Sequence, residues 1–199
     1  MPFVFKRLAL LMSIAAAFAA DKDAPFRPAP AGSYPHHQTN SQVTVGVDPY
    51  TSGDKLKAAF GKLDPNDHGV LPVLVVIQND SNKTIRLDRL EVQYNVPNGK
   101  KIEATPAKDV RYLQPPRQPG VIGGPAGKVK VLAARKNPLN SPDIEARAMT
   151  AQMLPAGQSA SGFFYFQTAL QPGATIYLNG LAEAGPEGKE LFYFEIPLQ

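Results

Sequence analysis

Apolar and polar residues alternate along many short segments of this 199-residue chain. Val43, Val45 and Val47, for example, are separated by single polar or small residues. Successive side chains of a β-strand point to opposite faces, so a period of two predicts strands with one buried face. Proline accounts for 20 of the 199 residues and lies mostly between these segments, because it breaks helices and is rare in central strands. Pro72 lies near the entry of one predicted strand. About eight such strands are predicted with two short helices, which favours an antiparallel sandwich or barrel over a parallel α/β fold.

Two helical insertions are predicted between the strands. Apolar residues recur at helical spacing from Leu56 to Leu63, which predicts one short helix. Ser141 and Pro142 form a typical helix start. The apolar residues behind them predict a second helix that runs to about Leu154.

Two segments in the middle of the chain indicate where strands lie and where they bend. The run Val70–Gln78 is almost entirely apolar and β-branched, which is typical of a central strand. In the next segment, apolar residues occupy odd positions at Ile85 and Leu87 but even positions from Leu90 to Val96. Because such a strand keeps one face buried, this change of phase predicts a β-bulge or a switch between sheets.

The start of the chain has the pattern of a secretory signal peptide. Lys6 and Arg7 precede an apolar stretch at 8–20, and a small-x-small site predicts cleavage after Ala19. The apolar stretch is shorter than the roughly 20 residues that a membrane-spanning helix needs. We therefore expect residues 1–19 to be a cleaved signal peptide and the mature protein to be secreted or periplasmic.

Composition divides the processed chain into two parts. Residues 20–41 contain four prolines and no apolar periodicity, which predicts a disordered leader outside the core. Residues 42–199 hold all of the predicted strands and have the length of one ordinary domain. No apolar run in either part is long enough to predict a transmembrane segment.

Several classes of function are excluded by residues that the chain lacks. It has no cysteine, so disulfides, zinc fingers, thiol catalysis and lipid attachment to cysteine are excluded. His36, His37 and His68 are too few and too scattered to predict a metal site, and we expect no cofactor. Signal cleavage lowers the formal net charge from +4 to +2, which is too small to indicate a nucleic-acid partner. The sequence around Ser159 lacks the last glycine and the following helix of a nucleophile elbow, so no enzyme activity is expected.

Two parts of the chain resemble a known kind of domain. One part combines the central apolar strand with a polar turn and a second strand, and the other combines aromatic strands with Pro-Gly turns. The match covers the strands of 70–96 and 154–198, and its motifs lie at 75–79, 85–87, 154–158, 161–166, 171–173 and 192–197. They resemble the strands of immunoglobulin-like sandwiches in exported bacterial proteins of unknown function. The resemblance implies that residues 42–199 form an immunoglobulin-like antiparallel β-sandwich with two short helical insertions, and it implies no catalytic residues.

A long Pro- and Gly-rich segment lies in the most basic part of the chain. Residues 105–128 contain five Pro and four Gly and no predicted secondary structure. Residues 100–136 include nine Lys or Arg and two acidic residues, a net charge of +7. Arg111, Tyr112 and Arg117 are the candidate contacts for an anionic envelope polymer, because guanidinium groups bind anions in a fork and an aromatic ring stacks. The alternative, which the composition favours, is a solvated loop.

Aromatic residues are concentrated in two runs near the end of the chain. Seven of the 17 aromatic residues lie in Phe163–Phe166 and Phe192–Phe194. Consecutive aromatic residues on a strand face both sides of the sheet, so both faces need cover. Either a predicted helix packs on the second face, which is the commoner arrangement, or an exposed apolar patch binds a partner protein.

These observations predict an exported, non-catalytic binding or assembly module of the bacterial cell envelope. Its expected partner is an envelope protein or an anionic envelope polymer. The alternative is an envelope hydrolase that acts on a glycan or an ester through carboxylates that the sequence does not reveal. Two carboxylates about 5–10 Å apart in a groove would favour the hydrolase.

Overall fold

The computed structural model describes residues 26–113, 121–123, 129–131, 136–185, 188–191 and 193–198. Its strands are β1 (His36–Asn40), β2 (Val43–Pro49), β3 (Leu71–Asn79), β4 (Ile85–Arg86), β5 (Glu91–Asn95), β6 (Lys101–Glu103), β7 (Val121–Gly123), β8 (Val129–Val131), β9 (Met153–Leu154), β10 (Ser159–Phe166), β11 (Thr175–Asn179), β12 (Ala182–Glu183) and β13 (Phe194–Pro197). Its α-helices are α1 (Gly53–Phe60) and α2 (Pro142–Ala146), and 3₁₀ helices cover Ala31–Ser33, Asn66–His68 and Ala107–Tyr112.

Two four-stranded antiparallel sheets make up the body of the molecule. The first sheet has the order β1-β2-β3-β10, and the second sheet has the order β13-β11-β5-β6. A small sheet, β12-β4-β9, and the hairpin β7-β8 are separate from them. In chain order, β2, β3 and β10 occupy the places of immunoglobulin strands A, B and E, and the second sheet has the order G-F-C-C′. The predicted mainly β, immunoglobulin-like antiparallel sandwich with two short helical insertions is confirmed.

The two large sheets face each other across the main apolar core. Val45 and Val75 of the first sheet and Tyr94 and Ile176 of the second sheet are fully buried there. The Tyr94 hydroxyl accepts a hydrogen bond from the backbone N–H of Gln171 at 2.8 Å. This bond fixes the connection between β10 and β11 to the core.

A second apolar cluster covers the outer face of the first sheet. In β3, Val73 and Val75 face the main core, whereas Leu74 and Val76 face the second cluster. This division explains why β3 is apolar at nearly every position, since both of its faces are covered. The helices complete the second cluster with the buried side chains of Leu56, Ala59, Phe60, Val110 and Ile144.

The aromatic run of β10 divides between the same two cores. Phe163 and Tyr165 belong to the second cluster, and Phe166 belongs to the main core. The Phe163 ring packs on the Phe60 ring of α1 with the centroids 4.9 Å apart. The Tyr165 hydroxyl donates a hydrogen bond to the Ile144 carbonyl of α2 at 2.8 Å. The prediction that a helix packs on the second face is confirmed, and both helices do so.

The prediction that residues 20–41 form a disordered leader is wrong for residues 26–41. Ala31 is fully buried, and β1 pairs with β2 along its whole length. Gly46 of β2 makes this packing possible, because a Cβ at this position would overlap the Ala31 carbonyl oxygen. The predicted signal peptide, residues 1–19, lies outside the described residues.

The second helix is shorter than its sequence predicts. Helix α2 ends at Ala146, and the backbone of the next residues bonds to β10. The Phe163 N–H donates to the Arg147 carbonyl at 2.8 Å, and the Met149 N–H donates to the Phe163 carbonyl at 3.4 Å. The predicted extension to about Leu154 is wrong because this sheet edge offers the backbone an alternative set of partners.

The change of phase between Ile85 and Val96 marks a switch between sheets. β4 pairs with β9 and β12, whereas β5 pairs with β6 and β11. The backbone turns between them, with the Leu90 N–H donating to the Leu87 carbonyl at 3.0 Å. Of the two predicted causes of the phase change, the switch between sheets is confirmed.

Candidate functional site

A groove opens at the edge of the sandwich where two segments meet β10. The Thr105 N–H donates to the Tyr165 carbonyl at 2.7 Å, and residues 147–149 bond to β10 further along its edge. Between these two attachments lies a cavity of about 340 Å³, within the size range of small ligand sites. We call it the edge groove. Its apolar lining includes Leu90, Ala104, Met149 and Phe164, and its polar lining includes Glu91, Gln93, Glu103 and Thr105.

The apolar side chains of the edge groove are only partly buried. Leu90, Ala104, Met149 and Phe164 pack against the main core but remain accessible. The groove is therefore an opening in the side of the core, at which a ligand could bury apolar surface. Tyr165, which also lines the groove, is held by its bond to Ile144. Burial raises the pKa of the Tyr165 hydroxyl far above its ordinary value, so this group stays neutral.

Two carboxylates lie on one wall of the edge groove. Gln93 of β5 is directly opposite Glu103 of β6, which places Glu91 and Glu103 as diagonal neighbours on one face. Diagonal neighbours of adjacent strands are about 7–8 Å apart. Both side chains are exposed, and neither forms an ion pair with any residue that the structure describes.

This spacing meets one condition of the hydrolase alternative. Glycoside hydrolysis by two carboxylates uses separations of about 5–10 Å. It also uses different surroundings for the two carboxyl groups, one of which acts as the acid. Glu91 and Glu103 are both exposed, so the geometry does not distinguish an acid from a base. The geometry alone therefore does not assign catalysis to this pair.

The basic site predicted from the sequence is only partly described. Arg111 and Tyr112 end the 3₁₀ helix Ala107–Tyr112, and Arg117 lies outside the described residues. The Arg111 guanidinium is 3.3 Å from a carboxylate oxygen of Glu145 and lies 5.4 Å from the centroid of the Tyr112 ring. Tyr112 itself is 72% exposed. Arg111 is thus partly neutralised by Glu145, and the role of the three residues in anion binding stays a prediction.

The segment 105–128 has more structure than its composition predicts. A 3₁₀ helix covers Ala107–Tyr112, and β7 pairs with β8 in an antiparallel hairpin. Val110 of the 3₁₀ helix is fully buried in the second cluster. The prediction of a segment without secondary structure is wrong for these residues. Val110, together with Ala107 and Leu113, packs the 3₁₀ helix against the second cluster, which composition does not reveal.

The outer face of the second sheet differs from the covered outer face of the first. We call it the open face. Its outward side chains are exposed or half-buried along the described strands: Thr175, Tyr177 and Asn179 in β11, Glu91, Gln93 and Asn95 in β5, Glu195 and Pro197 in β13, and Lys101 and Glu103 in β6. Sequence reasoning missed this surface. The signal was present in the polar positions of β5 and β11, which alternate with apolar ones.

The part of the chain that the structure describes has neither a cluster of metal ligands nor a helix that could span a membrane. There, no three His, Cys, Asp or Glu side chains come close enough together to hold a metal ion. No described helix is both long enough and apolar enough to cross a bilayer.

Comparisons with known proteins give no family for this chain. It matches no protein-family model, and no curated protein matches its sequence. Similar solved structures include the yjhA protein of Bacillus subtilis, at 10% identity and TM-score 0.36, over 73% of this chain and 78% of that one. They also include the putative ApaA protein of Bordetella pertussis, at 14% identity and TM-score 0.34, over 83% of this chain and 91% of that one. The secreted protein MPT63 of Mycobacterium tuberculosis has 14% identity and TM-score 0.32, over 84% of this chain and 95% of that one. Scores this low carry no inference, and the fold assignment rests on the strand order described above.

Proposed function

We propose that this protein is an exported, non-catalytic binding and assembly module of the bacterial cell envelope, and that it binds an extended segment of a partner protein in the edge groove. The observation that carries the proposal is the groove itself. It exposes part of the main core between two segments that are both fixed to β10. The groove is also the place where the second sheet ends, at β6.

The free edge of β6 favours an extended peptide as the ligand. The Ala104 N–H donates to the Val92 carbonyl, and the Val96 N–H donates to the Lys100 carbonyl, so even-numbered residues face β5. Backbone groups alternate in direction along a strand, so those of Lys101 and Glu103 point away from the sheet. A peptide that adds a strand at such an edge gains backbone hydrogen bonds there, and its side chains gain burial in the neighbouring groove.

The charges around the groove favour a cationic segment. Glu91 and Glu103 have no described ion-pair partner, so a Lys or Arg of the ligand would find two carboxylates. An anionic polymer would be repelled at the same place. Between the two partner classes expected from the sequence, the groove therefore favours an envelope protein.

A selection with displayed peptides tests this proposal. The mature chain is used to select binders from a random peptide library, and the best peptides are then measured by titration calorimetry. We expect them to share an apolar segment next to Lys or Arg. Met149→Gln, which makes the groove lining more polar, should weaken their binding about tenfold, a difference of about 1.4 kcal/mol.

Met153→Gln is the matched control. Met153 lies in β9, is 51% exposed and does not line the groove, so its replacement should leave peptide binding unchanged. Circular dichroism of both variants checks that the fold is intact. Peptides that bind both variants equally well would contradict the assignment of the site to the groove.

A hydrolase remains the second candidate because of the spacing of Glu91 and Glu103. It is tested with aryl glycosides and aryl esters, from which hydrolysis releases a coloured phenol. Turnover by the unmodified chain that is lost in both Glu91→Gln and Glu103→Gln would support this candidate. Turnover that neither variant changes would dismiss this pair as its active site.

A further inference from the structure

The open face of the second sheet is a polar surface of unusual regularity. The strand registers place Glu195, Tyr177, Gln93 and Glu103 in one row across β13, β11, β5 and β6. A second row consists of Pro197, Thr175, Asn95 and Lys101. Four strands spaced about 4.8 Å apart give each row a length of about 14 Å. These rows form an exposed polar surface that extends across all four strands.

Two tyrosine rings stand at one end of this surface. The rings of Tyr177 and Tyr193 stack with their centroids 5.3 Å apart and their planes at 26°. Tyr193 is 53% exposed. Part of its apolar ring surface therefore lies in water, where a ligand could cover it. Stacking fixes the orientation of both rings, so a ligand would lose little side-chain entropy when it packs on them.

The chemistry of the open face matches a polyhydroxylated ligand. The amide of Gln93 offers a donor and an acceptor, and the exposed carboxylates accept pairs of hydroxyl hydrogen bonds. The Oδ1 atoms of Asn95 and Asn179 are buried, so these two residues can offer only their amide N–H groups. The C–H faces of pyranose rings pack on aromatic rings while their hydroxyl groups bond to such polar neighbours. The outward side chains include one cation, Lys101, and three carboxylates, Glu91, Glu103 and Glu195. This excess of negative charge would repel an anionic polymer.

We infer that the open face binds an uncharged glycan chain, which lies across the four strands from the tyrosine pair towards β6. An exposed row of groups suits an extended chain better than a single terminal sugar, for which a closed pocket is the usual site. This inference goes beyond the proposed function, because it assigns a second ligand class to the open face, which shares Glu91, Gln93 and Glu103 with the edge groove. The glycan contacts centre on Tyr177 and Tyr193, whereas the peptide contacts centre on Met149 and Phe164.

Titration of the mature chain with two uncharged oligosaccharides tests the inference. Chitotriose and cellotriose are added to the ¹⁵N-labelled protein, and backbone amide shifts are followed by NMR. We expect shifts in β5, β11 and β13. Tyr177→Ala and Tyr193→Ala should each weaken binding about tenfold, because each removes an aromatic contact.

Tyr112→Ala is the control for these variants. Tyr112 is also a highly exposed tyrosine, but it lies at the end of a 3₁₀ helix and not on the open face. Its replacement should leave oligosaccharide binding unchanged. Because Tyr193 lies outside the strands, Tyr193→Ala keeps the test valid even if Tyr177→Ala does not fold.

Three outcomes would overturn the inference. The first is that neither oligosaccharide shifts the amides of the open face, and the second is that both tyrosine variants bind as the unmodified chain does. The third is that a Lys-rich peptide shifts the amides around Tyr177 and Tyr193, which lie outside the groove lining, whereas the oligosaccharides do not. This result would assign the face to a cationic protein. Met149→Gln separates this result from the groove proposal, because it should weaken peptide binding in the groove and leave glycan binding unchanged.

Discussion

At the scale of single residues, Asn79 connects two turns that are far apart in the sequence. Its side chain is completely buried at the end of β3. The amide Nδ2 donates to the carbonyls of Lys83, Leu154 and Pro155 at 2.7, 3.0 and 3.1 Å, and Oδ1 accepts from the Ser81 hydroxyl at 2.6 Å. The bond to the Leu154 carbonyl is buried and the other two are partly buried. A buried backbone carbonyl needs such a donor, because no water reaches it.

Replacement of this amide tests its contribution to stability. We expect Asn79→Ala to lower the free energy of unfolding by about 3 kcal/mol, because it leaves the buried Leu154 carbonyl without this donor and removes three further hydrogen bonds. Urea unfolding followed by circular dichroism measures the change. Asn82→Ala in the same turn is the control, since Asn82 is exposed, and its effect should stay within about 0.5 kcal/mol. Equal effects of the two variants would show that the buried bonds of Asn79 contribute little.

The sequence predicts the turn at Asn79 but not the role of its side chain. Asn79-Asp80-Ser81-Asn82 has typical turn composition, and the structure places a turn there. The Leu154 carbonyl, however, is 75 residues away along the chain. Only the tertiary packing of the 154–158 turn against the end of β3 brings donor and acceptor together, and residue patterns carry no information about such pairs.

At the scale of elements, the joint between residues 147–149 and β10 determines the shape of the edge groove. Gly162 makes this joint possible, because a Cβ there would overlap the backbone N and Cα of Met149. The glycine therefore allows two backbones to approach closely, as glycine in a strand often does. Met149, which this joint positions, then lines the groove.

Addition of one methyl group at this joint should affect both stability and binding. We expect Gly162→Ala to destabilise the fold by about 2–3 kcal/mol, since backbone atoms must move to make room. Groove-binding peptides should also bind more weakly, because Met149 is displaced. Chemical unfolding and calorimetry measure the two effects. Gly32→Ala is the control, since no atom lies within 4 Å of its added Cβ, and wild-type behaviour of Gly162→Ala would contradict the packing described here.

Alternating residues predict strands well but do not predict the groove. The period of two locates β2 and β11, the continuous apolar run locates β3, and the aromatic run locates β10. The change of phase after Leu87 predicts the switch between sheets. These features depend on residues that are close together in the sequence, so the spacing of apolar residues is enough to predict them. The groove combines residues from 90–93, 103–107 and 148–149, and α2 ends early because Arg147 and Met149 bond to β10. Both depend on contacts between distant segments.

At the scale of the whole molecule, two strands join the two apolar cores. β3 and β10 each contribute buried residues to both the main core and the second cluster. The second cluster therefore cannot separate from the sandwich without exposing one face of both strands. We conclude that the two cores form one cooperative unit, in which damage to either core unfolds the other.

Alkaline pH should reveal this cooperativity. Burial raises the pKa of the Tyr50 and Tyr165 hydroxyls in the second cluster far above the ordinary value of 10.0. The unfolded chain ionises these groups near 10.0, so the stability from their burial is complete below this pH and is lost as the pH rises above it. Each tyrosine should then cost about 1.4 kcal/mol of stability per pH unit.

We expect tyrosinate absorbance from these two residues and the loss of sheet circular dichroism to appear in one alkaline transition. Tyr50→Phe keeps the ring but removes one ionising group, so it should move the midpoint of this transition to higher pH. Tyr94→Phe is a less suitable comparison, because the Tyr94 hydroxyl accepts the bond from Gln171 that fixes the connection between β10 and β11. Ionisation of the second cluster at a pH where the sheet signal persists would mean that the helices detach on their own. The two cores would then be separate folding units, although they share β3 and β10.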